Sequence, residues 1–156
     1  MTGRAYVGLG ANLGDRSETL ARAIALLAER QEIEVVAVSS FRETDPVGFL
    51  DQPQFLNAAV ASETSLAPQA LLATLLEVER ELGRVREGPR YGPRTVDLDL
   101  LLMDDLVLDE PGLELPHPRL HERAFALEPL AELDPAIVVP GHGPVRQLLL
   151  GLQSSP

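Results

Sequence analysis

The chain has 156 residues, 45% hydrophobic and 24% charged, which excludes wholesale disorder and fits a single folded domain over residues 1–156. No apolar run reaches the ~18–20 residues of a membrane span, the first ten residues lack a signal-peptide layout, and the absence of cysteine excludes disulfides and thiolate metal sites. A net charge of −11 argues against a general nucleic-acid or anionic-membrane binder, yet all 13 basic residues are arginine and Arg80, Arg84, Arg86, Arg90 and Arg94 crowd into one short stretch.

The first element is a strand, in which Ala5, Val7 and Leu9 alternate with Tyr6, Gly8 and Gly10 before a turn at Ala11-Asn12-Leu13-Gly14. Asp15 stands three before Glu18, a capping box, and Leu20, Ile24 and Leu27 carry helical periodicity to about Arg30. Val35, Val36 and Val38 predict a second strand over Glu34–Ser40, and Phe55–Glu63 a third. Pro68 opens a helix whose stripe is Leu71, Leu75, Val78 and Leu82, with Gly83 as its stop. Val96–Met103 is apolar but for two aspartates and reads as a central strand. A short strand near Leu106–Leu108 and helices near Ala124–Ala131 and Pro144–Leu152 follow. The order β-α-β-β-α-β predicts an α+β fold, a ferredoxin-like sandwich with a mostly antiparallel sheet and helices packed on it. Three connections are long, Phe41–Pro53, Gly83–Thr95 and Asp109–Arg123, and seven of the 13 prolines stiffen them.

Gly8-Leu9-Gly10-Ala11-Asn12-Leu13-Gly14 superficially matches a dinucleotide fingerprint, but Leu13 occupies the third glycine's place, so the run reads as a tight strand-to-helix turn. Asp97 and Asp99 are two apart on a strand, hence on one side and about 6–7 Å apart along the backbone. Two carboxylates so close repel unless a cation compensates, and hard oxygen donors favour magnesium. The arginine loop just upstream, Arg84 to Arg94, adds guanidinium forks suited to phosphate. Together they point to a polyphosphate ligand, and without lysine it is not held by a P-loop. In Pro116-His117-Pro118-Arg119-Leu120-His121-Glu122-Arg123, the prolines flanking His117 work against a helical two-histidine metal site; His117 and Arg123 suit phosphate instead. His142, in Pro140-Gly141-His142-Gly143-Pro144, reads as a turn residue. Phe55 beside Asn57 fits either core packing or stacking on a flat heterocycle.

The run Arg90-Tyr91-Gly92-Pro93-Arg94-Thr95-Val96-Asp97-Leu98-Asp99-Leu100 resembles the signature of the 6-hydroxymethyl-7,8-dihydropterin pyrophosphokinase family. So do Val7 to Asp15, Gln52 to Val60 and Pro116 to Phe125, blocks that together span most of the chain. The resemblance implies a cytoplasmic enzyme of folate biosynthesis that transfers the pyrophosphoryl group of ATP to the pterin hydroxymethyl and releases AMP. It implies two Mg2+ ions held by Asp97 and Asp99, with Arg84 and Arg94 on the phosphates. ATP would meet Glu79, Arg86, Tyr91, Leu100, His117 and Arg123. The pterin would lie between Phe55 and Phe125, read by Asn57 and by the backbone from Thr44 to Val47. The long connections would be loops that close over the site. Tyr91 stands where some members have tryptophan, and Phe55 where others have tyrosine. Leu76 and Gly112 replace polar contacts of some members. The residues alone also admit a non-catalytic nucleotide- or RNA-binding module and a metal-dependent phosphohydrolase.

Overall fold

The computed structural model describes residues 2–11, 15–44, 55–84 and 96–153. Strand β1 (Gly3–Ala11) leads to helix α1 (Arg16–Ala28), then to β2 (Ile33–Val38), β3 (Arg42–Thr44), β4 (Phe55–Thr64), helix α2 (Pro68–Arg84) and β5 (Asp97–Met103). The strands lie in the order β2-β4-β1-β5, with β3 added on β4, and every pairing is antiparallel. A hairpin of β6 (Leu108–Glu110) and β7 (Leu113–Leu115), a 3-10 turn at Leu120–Glu122 and helix α3 (Ala124–Leu133) follow. The hairpin β8 (Val138–Val139) and β9 (Gly143–Pro144) and helix α4 (Val145–Gln153) complete the described chain.

Local chemistry accounts for the first elements. The Asp15 carboxylate accepts the Glu18 N–H at 3.1 Å, which satisfies an orphan donor at the start of α1. The apolar stripes of α1 (Leu20, Ala23, Leu27) and α2 (Leu71, Leu75, Val78, Leu82) bury against alternate residues of β1 (Ala5, Val7, Leu9) and β4 (Leu56, Ala58, Val60). Each fully buried leucine contributes about 1.5–3 kcal/mol relative to exposure, so this face holds the sheet to its helices. Arg30, just beyond α1, lies 3.6 Å from both Glu77 and Glu81 of α2 and ties the two helices at their polar rim.

The opposite face is covered too. Leu127 and Leu130 of α3 and Val145 and Leu149 of α4 pack on Ala59, Leu101 and Leu102. Helices on both sides explain why β4 is buried almost continuously instead of alternating.

Several expectations change. β5 is an edge strand, not a central one: its apolar character on both sides reflects two helical layers, while only β1 pairs with it among the described residues. The Phe41–Pro53 connection contains β3, and Asp109–Arg123 contains most of a hairpin and a 3-10 turn. The strand expected at Leu106–Leu108 starts at Leu108, and α2 runs past Gly83 to Arg84. None of the helices of the described residues is long and apolar enough to cross a membrane.

Candidate active site

A cleft of about 550 Å³ opens on the face of the sheet away from α1 and α2, where β1, β4 and β5 meet the start of α3. Its floor follows from strand register. Gly10 pairs with Asp97 and Gly8 with Asp99, and residues opposite each other on neighbouring strands share a face. Two positions without side chains therefore lie beside two carboxylates. A β-carbon on Gly10 would sit 2.9 Å from Asn57 Oδ1, and one on Gly8 would sit 3.1 Å from Leu101 Cδ1. Both glycines lie inside β1, so their importance is close approach and not a turn.

Asp97 and Asp99 are exposed on the cleft side, while Val96, Leu98 and Leu100 are buried on the other. The outer edge of β5 is occupied. Leu98 N donates to Glu79 Oε2 at 2.7 Å, and His117 N donates to Leu101 O at 2.9 Å. Leu101 is an extra residue on β5, because the register steps from Tyr6–Leu102 to Val7–Leu100. The bulge thus offers the carbonyl that docks His117 beside the aspartates.

His117 Nδ1 accepts the Arg119 N–H at 3.2 Å, which assigns the proton of the neutral ring to Nε2. Burial holds the imidazole below the usual histidine range; Asp99 opposes this, Arg123 reinforces it, and Glu114 and Arg119 add smaller opposing effects. The folded value lies below the unfolded one, so the stabilisation from the neutral ring is complete above pH 6.5 and is lost as pH falls through the folded value. Proton NMR of the ligand-free protein should show His117 titrating below pH 6.5, and Asp99→Asn should lower the midpoint further. A wild-type midpoint at or above 6.5 contradicts this environment.

Across the cleft stand Phe55, Asn57 and Thr44 from the sheet and Phe125 from the first turn of α3. Asn57 Nδ2 donates to Thr44 Oγ1, which orients the amide. The Arg123 guanidinium lies 5.5 Å from the centroid of the Phe125 ring. One wall is therefore aromatic and amide, fit for a flat polar heterocycle, and the other is carboxylate, fit for a cation. Arg119 and Glu122, paired at 3.4 Å, also line the cleft.

The structure brings together Thr44, Phe55, Asn57, Asp97, Asp99, His117, Arg123 and Phe125 from the residues singled out in the sequence. The Leu100 side chain is buried in the core beneath the helices, because strand alternation turns it away from the aspartates. Glu79 sits at the outer edge of β5 and holds the Leu98 N–H. Val47, Arg86, Tyr91 and Arg94 lie outside the described residues, and the side chain of Arg84 does as well. His121 stacks on His142 with ring centroids 3.9 Å apart, so His142 is more than a turn residue. No group of three metal-ligating side chains occurs among the described residues. Sequence reasoning missed Gly8, Gly10, Arg119 and Glu122. The only local signal was glycine at alternate strand positions, which acquires meaning once its partner strand is known.

The family model for 7,8-dihydro-6-hydroxymethylpterin-pyrophosphokinase matches residues 6–135. A 2-amino-4-hydroxy-6-hydroxymethyldihydropteridine pyrophosphokinase of Bacillus subtilis is 51% identical over 133 residues, 85% of this chain and 79% of the relative. The protein of the same name from Methylorubrum extorquens is 47% identical over 152 residues, 97% of this chain and 95% of the relative. Among solved structures, Plasmodium falciparum HPPK-DHPS A437G with SDX-DHP superposes with a TM-score of 0.77 at 15% identity. That match covers 97% of this chain, which spans 45% of the solved one.

Proposed function

This chain belongs to the 7,8-dihydro-6-hydroxymethylpterin-pyrophosphokinase family, and from that premise we propose that the cleft between β5 and α3 is where its reaction takes place. The protein is a transferase that moves pyrophosphate from ATP to hydroxymethyldihydropterin in folate biosynthesis. One observation carries the placement: Asp97 and Asp99 face Phe55, Asn57 and Phe125 across a single cleft floored by Gly8 and Gly10. The β1-α1-β2-β4-α2-β5 frame supports a ferredoxin-like reading. In the same reading residues 1–156 form one domain, and its role in folate biosynthesis is what suggests the cytoplasm.

In this reading the pterin ring enters between Phe55 and Phe125, where stacking on two aromatic faces replaces its hydration. The Asn57 amide, oriented by Thr44, hydrogen-bonds the ring edge, and the backbone from Thr44 to Val47 supplies further contacts. The triphosphate lies towards β5. Asp97 and Asp99 would hold Mg2+, two ions in this reading; both are exposed hard-oxygen donors on one face, which fits an ion completed by substrate phosphates and water better than an all-protein cage. Magnesium held by these carboxylates would supply neutralisation of the phosphate charge. His117 and Arg123 meet the nucleotide from the segment docked on β5, Arg84 and Arg94 meet the phosphates, and Arg86, Tyr91, Glu79 and the Leu100 backbone border the nucleotide. The pterin hydroxyl oxygen then attacks the β-phosphorus of ATP in line. A new P–O bond forms, the bond from that phosphorus to the α–β bridging oxygen breaks, AMP departs, and the hydroxyl proton is released. Alignment and charge neutralisation are what this transfer requires of the protein.

Purified protein with ATP, Mg2+ and hydroxymethyldihydropterin should release AMP in step with pyrophosphorylated pterin. ADP as the product, or ATP cleavage at the same rate without pterin, contradicts the reading.

A further inference from the structure

β2 and β3 run along the same neighbour, β4, with a break between them. Val38 pairs with Val60 and Arg42 with Asn57, so four steps on one side meet three on the other. Ser39 bridges the break: its N–H donates to Ala59 O at 2.9 Å and its hydroxyl accepts the Ala59 N–H at 2.9 Å. Ser40 is held from outside the sheet. Its N–H and its hydroxyl each donate to Glu132 at 2.7 Å, and Arg42 adds Nη2 and Nε to the same carboxylate at 3.1 and 3.3 Å. These contacts, the Ser40 N–H foremost, keep the Glu132 carboxyl below the usual glutamate range.

An exposed ion pair by itself holds little. Here the carboxylate also satisfies a backbone N–H where the ladder is interrupted, at the entrance to a strand only three residues long. That strand ends at Thr44, the group that orients Asn57. The second tie on β3 is Arg16 Nη2 to Glu43 Oε2 at 2.8 Å, from the start of α1. Glu132 lies two helical turns after Phe125 on α3, so one face of the helix delivers a ring to the cleft and a carboxylate to the strand break.

We propose that Glu132 is a positioning residue for pterin: through Ser40 and Arg42 it sets the placement of β3, and β3, through Thr44, orients the Asn57 amide towards the ring. The inference rests on the assignment of Asn57 to pterin made above. Steady-state kinetics on the full chain separate the two. Glu132→Ala should raise KM for hydroxymethyldihydropterin about tenfold and leave KM for ATP and kcat within about twofold. Asn57→Ala should raise the pterin KM at least as much, and adding Glu132→Ala to it should change nothing further, because the effect runs through Asn57. Glu132→Gln, which keeps one acceptor for Ser40, should recover part of the loss and serves where the alanine variant folds poorly. If Asn57→Ala leaves the pterin KM unchanged, the pterin assignment fails and the positioning role with it. If Asn57→Ala raises it while Glu132→Ala does not, the positioning role alone fails. Equal rises in both KM values, or full additivity in the double variant, overturn the positioning role as well.

Discussion

Replacing Asp97 or Asp99 with alanine should lower turnover by about 10²–10³-fold, the scale for losing one preorganised electrostatic element. Both carboxylates are exposed on the cleft side, and their neighbours Val96, Leu98 and Leu100 make the packing contacts of β5 on the other. Neither substitution opens a cavity in the core, because both side chains lie outside the packed faces of the sheet. Stability should therefore fall far less than turnover, so the loss in rate reports chemistry and not folding. AMP release at saturating ATP and pterin, together with a thermal unfolding curve, measures both quantities. Near-normal rates in both variants would remove the role assigned to the aspartates.

The second large effect belongs to a residue with no functional group. Gly10→Ala places a β-carbon 2.9 Å from Asn57 Oδ1, closer than such atoms pack. Asn57 cannot yield freely, because its amide nitrogen is engaged by Thr44 and the residue is buried. Alanine should cost about tenfold in kcat/KM for pterin and valine about 10²-fold, the scale of an ångström's misplacement of a binding group. ATP binding, at the other side of the cleft, should change little. Equilibrium titration with each ligand separately distinguishes this from a general collapse of β1. A Gly10→Val variant with unaltered pterin binding would mean that Asn57 does not hold the position described.

Much of the site was legible in local pattern. Period-two alternation sufficed to set Asp97 and Asp99 on one side of a strand, and the same rule places Leu100 on the opposite side. The capping geometry of Asp15 and the stripe Leu71-Leu75-Val78-Leu82 likewise appear where helical spacing puts them. These features depend on residues within a few positions of one another, where backbone periodicity alone decides which side chains share a face.

Pairing at a distance is another matter. The apolar run of β5 indicated burial on both faces, and burial on both faces is compatible with the centre or the edge of a sheet. Only the tertiary structure shows the edge, with Glu79 and His117 taking up its backbone groups. Gly8 and Gly10 gain their role from the register of β1 on β5. Ser40 and Glu132, 92 residues apart, meet because α3 folds back over the sheet. Residue type and short spacing determined the chemistry this chain carries. Sheet order, register and helix docking, which balance contacts between distant segments, decided which of those groups face one another.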